Sequence, residues 1–278
     1  MLVRPGNLYL PPELAARSRA RDLLRRASDE APLLVDFVCP LYAPDATDRP
    51  AGVGSAVLLT VDGERLLLTA AHVVERYEEV FFPGDGVLER LSGDTLTTAL
   101  PPSGRREDDR FDFAAVVLSE SAVSRMTTLR FLEPQQLGTH HKASRDKAYT
   151  IMGFPSTRNK PRSARAARRN PYSYTTVSAD PKIYADMCRA PAHHLVLSFN
   201  REWTRNPDGS PRGSAPDPHG FSGGAVWLLD QPGNPQLVGI PIEWDAPARS
   251  RKQFVVATRI GTILEALTPA LAKLREAR

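Results

Sequence analysis

Three short segments carry residue types that could perform acyl transfer. Leu68-Thr69-Ala70-Ala71-His72 closes an apolar run and opens a short helical turn, and Asp112 stands directly before the apolar run Phe113-Ala114-Ala115-Val116. Gly220-Phe221-Ser222-Gly223-Gly224 is a glycine-rich loop holding a serine just ahead of another apolar run. A serine hydroxyl is a weak nucleophile at neutral pH and needs a base to take its proton. Histidine, with an ordinary pKa of about 6.5, suits that role. An acid on the far ring nitrogen fixes the tautomer and stabilises the imidazolium. The glycines fit the same chemistry, because backbone N–H groups must converge on the oxyanion without side chains in the way. The N–H groups of Gly220 and Ser222 are the expected donors.

The order of these segments, His72, Asp112, Ser222, separates competing readings. Gly220 to Gly224 also satisfies the G-x-S-x-G elbow of α/β-hydrolases, which run serine, acid, histidine. No histidine follows Ser222 in this chain, so that reading fails. A subtilisin-like order fails too, since the only His-Gly pair is His219-Gly220. The pairs His140–His141 and His193–His194 lack the spaced Cys/His pattern of a zinc site and read as loop or strand-edge histidines. No cofactor and no metal are expected.

The elements that must position these residues are short strands. The 278 residues include 25 prolines, which disfavours long helices, a helical bundle and a coiled coil. Residues 11–30 read as a helix closed by Pro32. Leu33 to Pro40, Gly54 to Leu59, Arg65 to Thr69, Val80 to Phe82 and Phe113 to Leu118 read as strands, separated by turns such as Asp62–Gly63. Glu120 to His141 reads as a linker. A second strand-rich unit follows at Tyr149–Met152, Tyr172–Val177, Leu195–Phe199, Ala225–Leu229, Leu237–Ile242 and Phe254–Thr258, with long loops at 155–170 and 200–219. Ile260 to Arg275 has a helical period.

Net charge is +4, but His140 to Gly213 carries fourteen Lys/Arg against five Asp/Glu, a basic segment in an otherwise mildly acidic chain. No apolar run is long enough to cross a bilayer as a helix. Met1 to Pro12 lacks a signal-peptide core, so a cytoplasmic protein is expected, with Cys39 and Cys188 as two free, buried thiols. The Arg, Ala and Pro bias is that of a GC-rich bacterial genome.

The motifs T-A-A-H, D-F-A and G-x-S-G-G in this order resemble the trypsin-like (chymotrypsin-fold) serine peptidases. Gly52-Val53-Gly54-Ser55-Ala56, Gly153-Phe154-Pro155, Val238-Gly239-Ile240 and Val256-Ala257-Thr258-Arg259-Ile260 agree. The resemblance implies an all-β fold of two antiparallel six-stranded barrels, 33–125 and 142–259, joined by a linker at 126–141. A helical extension at 1–32 precedes them and a helix at 260–278 follows. His72 and Asp112 would come from the first barrel and Ser222 from the second. Asp108 and Asp109 compete with Asp112, which is preferred because it directly precedes the buried run, as the family motif requires.

The implied activity is peptide-bond hydrolysis of protein or peptide substrates through an acyl-enzyme, gated by a protein partner in a stress or defence pathway. Pro216, Asp217, Glu243 and Val255 would shape the substrate pocket, without favouring a basic side chain there. Secreted relatives have Asp before the nucleophile, which pairs with a newly cut N-terminal amine. Phe221 stands there in this chain, so that ion pair cannot form. The alternative is a catalytically silent module that binds a protein or, less favoured, a nucleic acid through the basic loop Arg158 to Arg169.

Overall fold

Alternation of apolar residues and tight turns divides the chain into two large antiparallel sheets and one two-stranded ribbon. The structure, a computed structural model, describes residues 12–160, 170–200, 202, 204–205, 211–231, 233–245 and 253–278. Most of the basic loop, including Arg162, Arg165, Arg168 and Arg169, lies outside the described residues.

The first part runs α1 (Pro12–Leu34), β1 (Val38–Pro44), β2 (Pro50–Val61), β3 (Glu64–Thr69), α2 (Ala71–Glu75), β4 (Phe81–Pro83), β5 (Leu88–Arg90), β6 (Gly93–Thr97), β7 (Ala114–Leu118) and α3 (Glu120–Ser124). The second runs β8 (Ala148–Gly153), β9 (Tyr172–Val177), α4 (Pro181–Asp186), β10 (His194–Phe199), β11 (Thr204–Arg205), β12 (Pro211–Gly213), β13 (Ala225–Leu228), β14 (Gln236–Asp245), β15 (Gln253–Arg259) and α5 (Ile260–Ala277). The sheet orders are β5-β4-β1-β2-β3-β7-β6 and β10-β15-β14-β13-β8-β9. The first sheet thus has seven strands against the six expected.

The β2–β3 hairpin turns on Asp62 and Gly63, both at positive φ (50° and 84°), as a two-residue turn matched to strand twist requires. Period-2 alternation divides β13 between two cores. Ala225 and Trp227 join a core shared by both sheets, and Val226 and Leu228 fill the second barrel. Helix α5 closes the shared core with Ile260, Ile263, Leu267 and Leu271.

Several boundaries differ from expectation for identifiable reasons. Helix α1 continues through Pro32 to Leu34, because Ala27, Ala31 and Leu34 lie at helical spacing and are buried. Pro32 sits in the last turn, where its missing N–H forfeits a single bond. The expected strand at Leu33 therefore starts only at Val38, after a 3-10 turn at Val35–Phe37. Strands β5 and β6 are short and partly polar and carry no alternation to read. The linker is pinned to both sheets: Leu132 exchanges backbone bonds with β2 (2.8 and 2.9 Å), and Gly138 donates to Leu237 (2.8 Å). Neither cysteine is in a disulfide, but Cys188 is exposed rather than buried. It follows the end of α4 at φ 52°, the left-handed position where helices terminate. Among the described residues no helix is long and apolar enough to cross a membrane.

Helix α1 is strapped to the second sheet, where Arg26 donates to the carbonyls of Leu229 (3.3 Å) and Asp230 (3.2 Å). Beside this turn lies a polar cavity of about 370 Å³ lined by His141, Lys147 and Asp230 among others. His141 Nε2 bonds the Tyr149 hydroxyl at 2.8 Å. Burial, with Lys147 and Arg259 nearby, lowers its pKa from 6.5 to about 4. The unfolded chain then binds more protons than the folded one between these values, so stability is complete above pH 6.5 and falls toward pH 4. His141→Gln, which cannot titrate, should show a smaller drop in melting temperature from pH 7 to pH 4.5 than the parent. An equal drop in thermal melts would contradict this.

Candidate active site

His72 is the second residue of α2, which begins where β3 leaves the first sheet. Asp112 grips it at two points. Its Oδ1 accepts from the His72 backbone N–H at 2.9 Å, and its Oδ2 meets Nδ1 at 2.5 Å. A carboxylate only accepts, so Nδ1 carries a proton, and in the neutral ring the lone pair is on Nε2. Asp112 is buried (9 % of its side chain exposed) and His72 is partly open (37 %). The Asp112 backbone lies at φ 39°, a left-handed conformation costing about 1 kcal/mol and held by its surroundings.

Asp109 has a different task. It accepts from the Phe111 N–H at 2.9 Å, from the Thr98 hydroxyl and from Arg106 at 2.6 Å. Burial works against its charge, but these bonds outweigh it and hold the carboxyl below its ordinary range. Arg106 also takes Glu75 of α2 in two bonds, at 2.8 and 2.5 Å. One guanidinium thus joins the helix carrying His72 to the loop carrying Asp112. Asp108 is more exposed and pairs with Arg105.

The Ser222 turn docks where the β2–β3 ladder ends, at Val57↔Leu68. Beyond it, Ser55 of β2 donates its N–H to the Ser222 carbonyl (2.9 Å) and accepts the Thr69 hydroxyl on its own carbonyl (2.7 Å). Its hydroxyl donates to the Gly220 carbonyl (2.6 Å) and accepts the Phe154 N–H (2.8 Å). A Cβ at Gly54 would meet Val73 of the His72 helix at 2.7 Å and the Ser222 carbonyl at 3.3 Å, so His72 and Ser222 approach across this glycine. At Gly223, φ is 79° and a Cβ would lie 2.2 Å from the Ser55 carbonyl. Only glycine fits there. Among the described residues no hydrogen bond joins the Ser222 hydroxyl to His72, an arrangement common before substrate binds.

The peptides of the loop are oriented one by one. The His219 carbonyl accepts from Ser156 N–H (2.9 Å) and the Phe221 carbonyl from Gly224 N–H (2.8 Å). In a trans peptide the N–H points the opposite way. The Gly220 and Ser222 N–H groups are thereby turned away from these partners, and among the described residues neither donates a bond. Phe221 is buried in the second barrel, edge-on to Tyr172 at 6.2 Å.

The four expected pocket residues do not share one face. Val255 is buried opposite Trp244 in the register of β14 and β15, on the side of Phe221 and Ala215. Glu243, one residue from Trp244, points the other way and pairs with Arg189. Asp217 bonds its own loop through the His219 N–H (3.0 Å) and ring, Pro216 beside it is half-buried, and the His219 ring meets Trp244 at 6.1 Å. Sequence reasoning passed over Ser55 and Arg106. The Gly-Val-Gly-Ser run before His72 was the signal for the first, and nothing local marks the second. Among the described residues no group of three His, Cys, Asp or Glu side chains could hold a metal.

No protein-family profile matches the chain, and no curated protein sequence matches it. Among solved structures it is similar to neuropsin, a serine protease expressed in the limbic system of mouse brain. The TM-score is 0.54 at 14 % identity, over 85 % of this chain and 94 % of that one. The MamO protease domain of Magnetospirillum magneticum (TM-score 0.46, 14 % identity, 84 % and 96 % covered) and the HtrA-type protease AlgW (0.49, 14 %, 88 % and 62 %) align more loosely. The neuropsin likeness shows the fold, that of the trypsin-like two-barrel proteins.

Arg106→Ala would leave Asp109 charged without its cation and free α2 from the Asp112 loop. Removing one partner of a buried pair costs roughly 3 kcal/mol. The expected outcome is a melting temperature lowered by several degrees, whereas Arg105→Ala at the exposed pair should change it little. Equal effects in thermal melts would refute the bracing role.

Proposed function

We propose that this chain, on its trypsin-like two-barrel fold, is a serine endopeptidase. The observation that carries the reading is the two-point grip of Asp112 on His72 at the place where the Ser222 turn docks. Ser222 Oγ attacks the scissile carbonyl while His72 Nε2 takes its proton. The imidazolium is stabilised by Asp112 and returns the proton to the leaving amine. The N–H groups of Gly220 and Ser222 receive the oxyanion, already turned from their neighbours before substrate arrives. Water repeats the sequence on the acyl-enzyme.

The substrate would be an extended peptide. Strand β13 pairs with β14 only as far as Gly239, and the Pro241 carbonyl is taken by the Gly223 N–H (2.7 Å). At Glu243 and Trp244, among the described residues, β14 is paired on the β15 side alone. An open strand edge beside the nucleophile suits a peptide that adds as a further strand.

A fluorophosphonate should label Ser222, and Ser222→Ala and His72→Ala should each lower peptide hydrolysis by about 10⁴-fold or more, with no further loss in the double variant, because the residues act as a unit. Full hydrolysis by Ser222→Ala would overturn the proposal.

Activation by N-terminal cleavage does not fit this chain. Phe221 offers no charge to a buried ammonium, which would be left unpaired at a cost of several kcal/mol. Ala27, Ala31 and Leu34 of α1 are already part of the shared core. Trimming the chain to begin at Leu33 should lower its melting temperature and leave labelling of Ser222 no faster. Labelling that appears only after trimming would refute the argument.

A further inference from the structure

We infer that His194 and Thr258, a cross-strand pair of the second sheet, are positioning residues that hold the Asp112 segment of the first sheet in register with His72; this rests on the reading of His72, Asp112 and Ser222 as the working triad. The two residues before Asp112 have carbonyls that reach across to the other sheet. His194 Nε2 meets the Arg110 carbonyl at 2.9 Å, and the Thr258 hydroxyl donates to the Phe111 carbonyl at 2.7 Å. His194 and Thr258 are direct register partners on β10 and β15, and both are buried, at 2 % and 0 % exposure. One rung of the second sheet therefore takes two consecutive peptides of the first.

The grip is reinforced by the Phe111 ring. It stacks on His194 (5.6 Å between centroids, 14° between planes) and meets His193 edge-on at 5.7 Å. The His194 ring faces a carbonyl at each nitrogen, Ala190 at 3.2 Å on Nδ1 and Arg110 on Nε2. Burial and the neighbouring Arg189 and His193 hold its pKa below the ordinary value. A carbonyl only accepts, so in the shorter of the two contacts Nε2 carries a proton and donates it to Arg110. The rest of the segment is held within the first sheet, with the Phe111 N–H on Asp109 (2.9 Å) and the Asp112 carbonyl accepting the Ala71 N–H (3.1 Å). Asp112 itself sits at φ 39°, a conformation that persists only where neighbours dictate it. With the bonds of His194 and Thr258 removed, only a long contact from Arg189 to the Arg110 carbonyl (3.5 Å) and the first-sheet contacts remain to hold that conformation and aim Oδ2 at Nδ1.

The test uses Thr258→Val, nearly the same shape without the hydroxyl, and His194→Phe, which keeps a ring on Phe111 but no donor. Thr258→Ser and His194→Gln return a donor. For a peptide ester, kcat should fall about 10- to 100-fold in Thr258→Val and His194→Phe while KM stays within about twofold, as for a misplaced catalytic group. The low-field proton resonance of the His72–Asp112 hydrogen bond should weaken or shift in both. Thr258→Ser should restore kcat and resonance together. Unchanged kcat and resonance in folded Thr258→Val, or a loss that Thr258→Ser does not restore, would overturn the inference. If the parent chain neither turns over ester nor reacts with a fluorophosphonate, the peptidase reading fails instead. The resonance then still decides the positioning role, by its persistence or loss in Thr258→Val.

Discussion

Ser55 uses every polar group it has at the seam between the two sheets. Its N–H holds the Ser222 carbonyl, its carbonyl takes Thr69, and its hydroxyl links Phe154 to Gly220. The seam exists because β3 turns out of the sheet into α2 and leaves the edge of β2 without a strand partner. A buried donor or acceptor left unpaired costs about 1–3 kcal/mol, so four such groups fix the second sheet's loop far more sharply than apolar contact would. The same departure of β3 creates the helical turn that presents His72. One change of chain direction thus supplies both the placement of His72 and the dock for the Ser222 turn.

Electrostatics on the first sheet follow from keeping Asp112 for a single partner. An arginine free to reach that carboxylate would compete with the imidazolium for it. Arg106 is held by Glu75 and Asp109, so the nearby positive charge is spent on bracing rather than on Asp112. The hydrogen bonds of those two carboxylates more than offset the burial that opposes the guanidinium's charge and hold its pKa above the ordinary value. Its side chain is only 12 % exposed, which separates this pair from the surface pair of Arg105 and Asp108, where solvent leaves little net attraction.

Much of this was legible in local sequence, because local physics enforces it. The order His72, Asp112, Ser222 and the glycines at 220, 223 and 224 express needs of a few adjacent atoms, and the buried strands announce themselves by β-branched and leucine runs. What escaped is long-range. Thr258 touches Phe111 across 147 positions and Ser55 touches Gly220 across 165; the Gly-Val-Gly-Ser run points to Ser55 but not to its partner, and nothing beside Thr258 in sequence marks its contact. Pro32 read as a stop, yet the burial of Leu34 carried the helix past it. Cys188 read as a buried thiol because its residue type usually is, whereas its place at a helix end exposes it. Glu243 and Val255 read as neighbours in one pocket, and the alternation of β14 places them on opposite faces.

The residue before Ser222 ties these threads together. A charged anchor there would need a counter-charge delivered from elsewhere, and the loop would wait for it. Phe221 needs none. Burying an aromatic side chain is worth about 2–3 kcal/mol, without direction. The direction comes from Ser55 on one flank and from the Gly223 N–H on the Pro241 carbonyl on the other. Packing supplies the energy and hydrogen bonds supply the geometry, and both are complete in the uncut chain. What stays open near Ser222 lies elsewhere. One such place is the edge of β14 at Glu243 and Trp244, where the His219 ring meets Trp244. A partner that shifts that contact would change access to Ser222 without disturbing the buried hydroxyl on which the site is built.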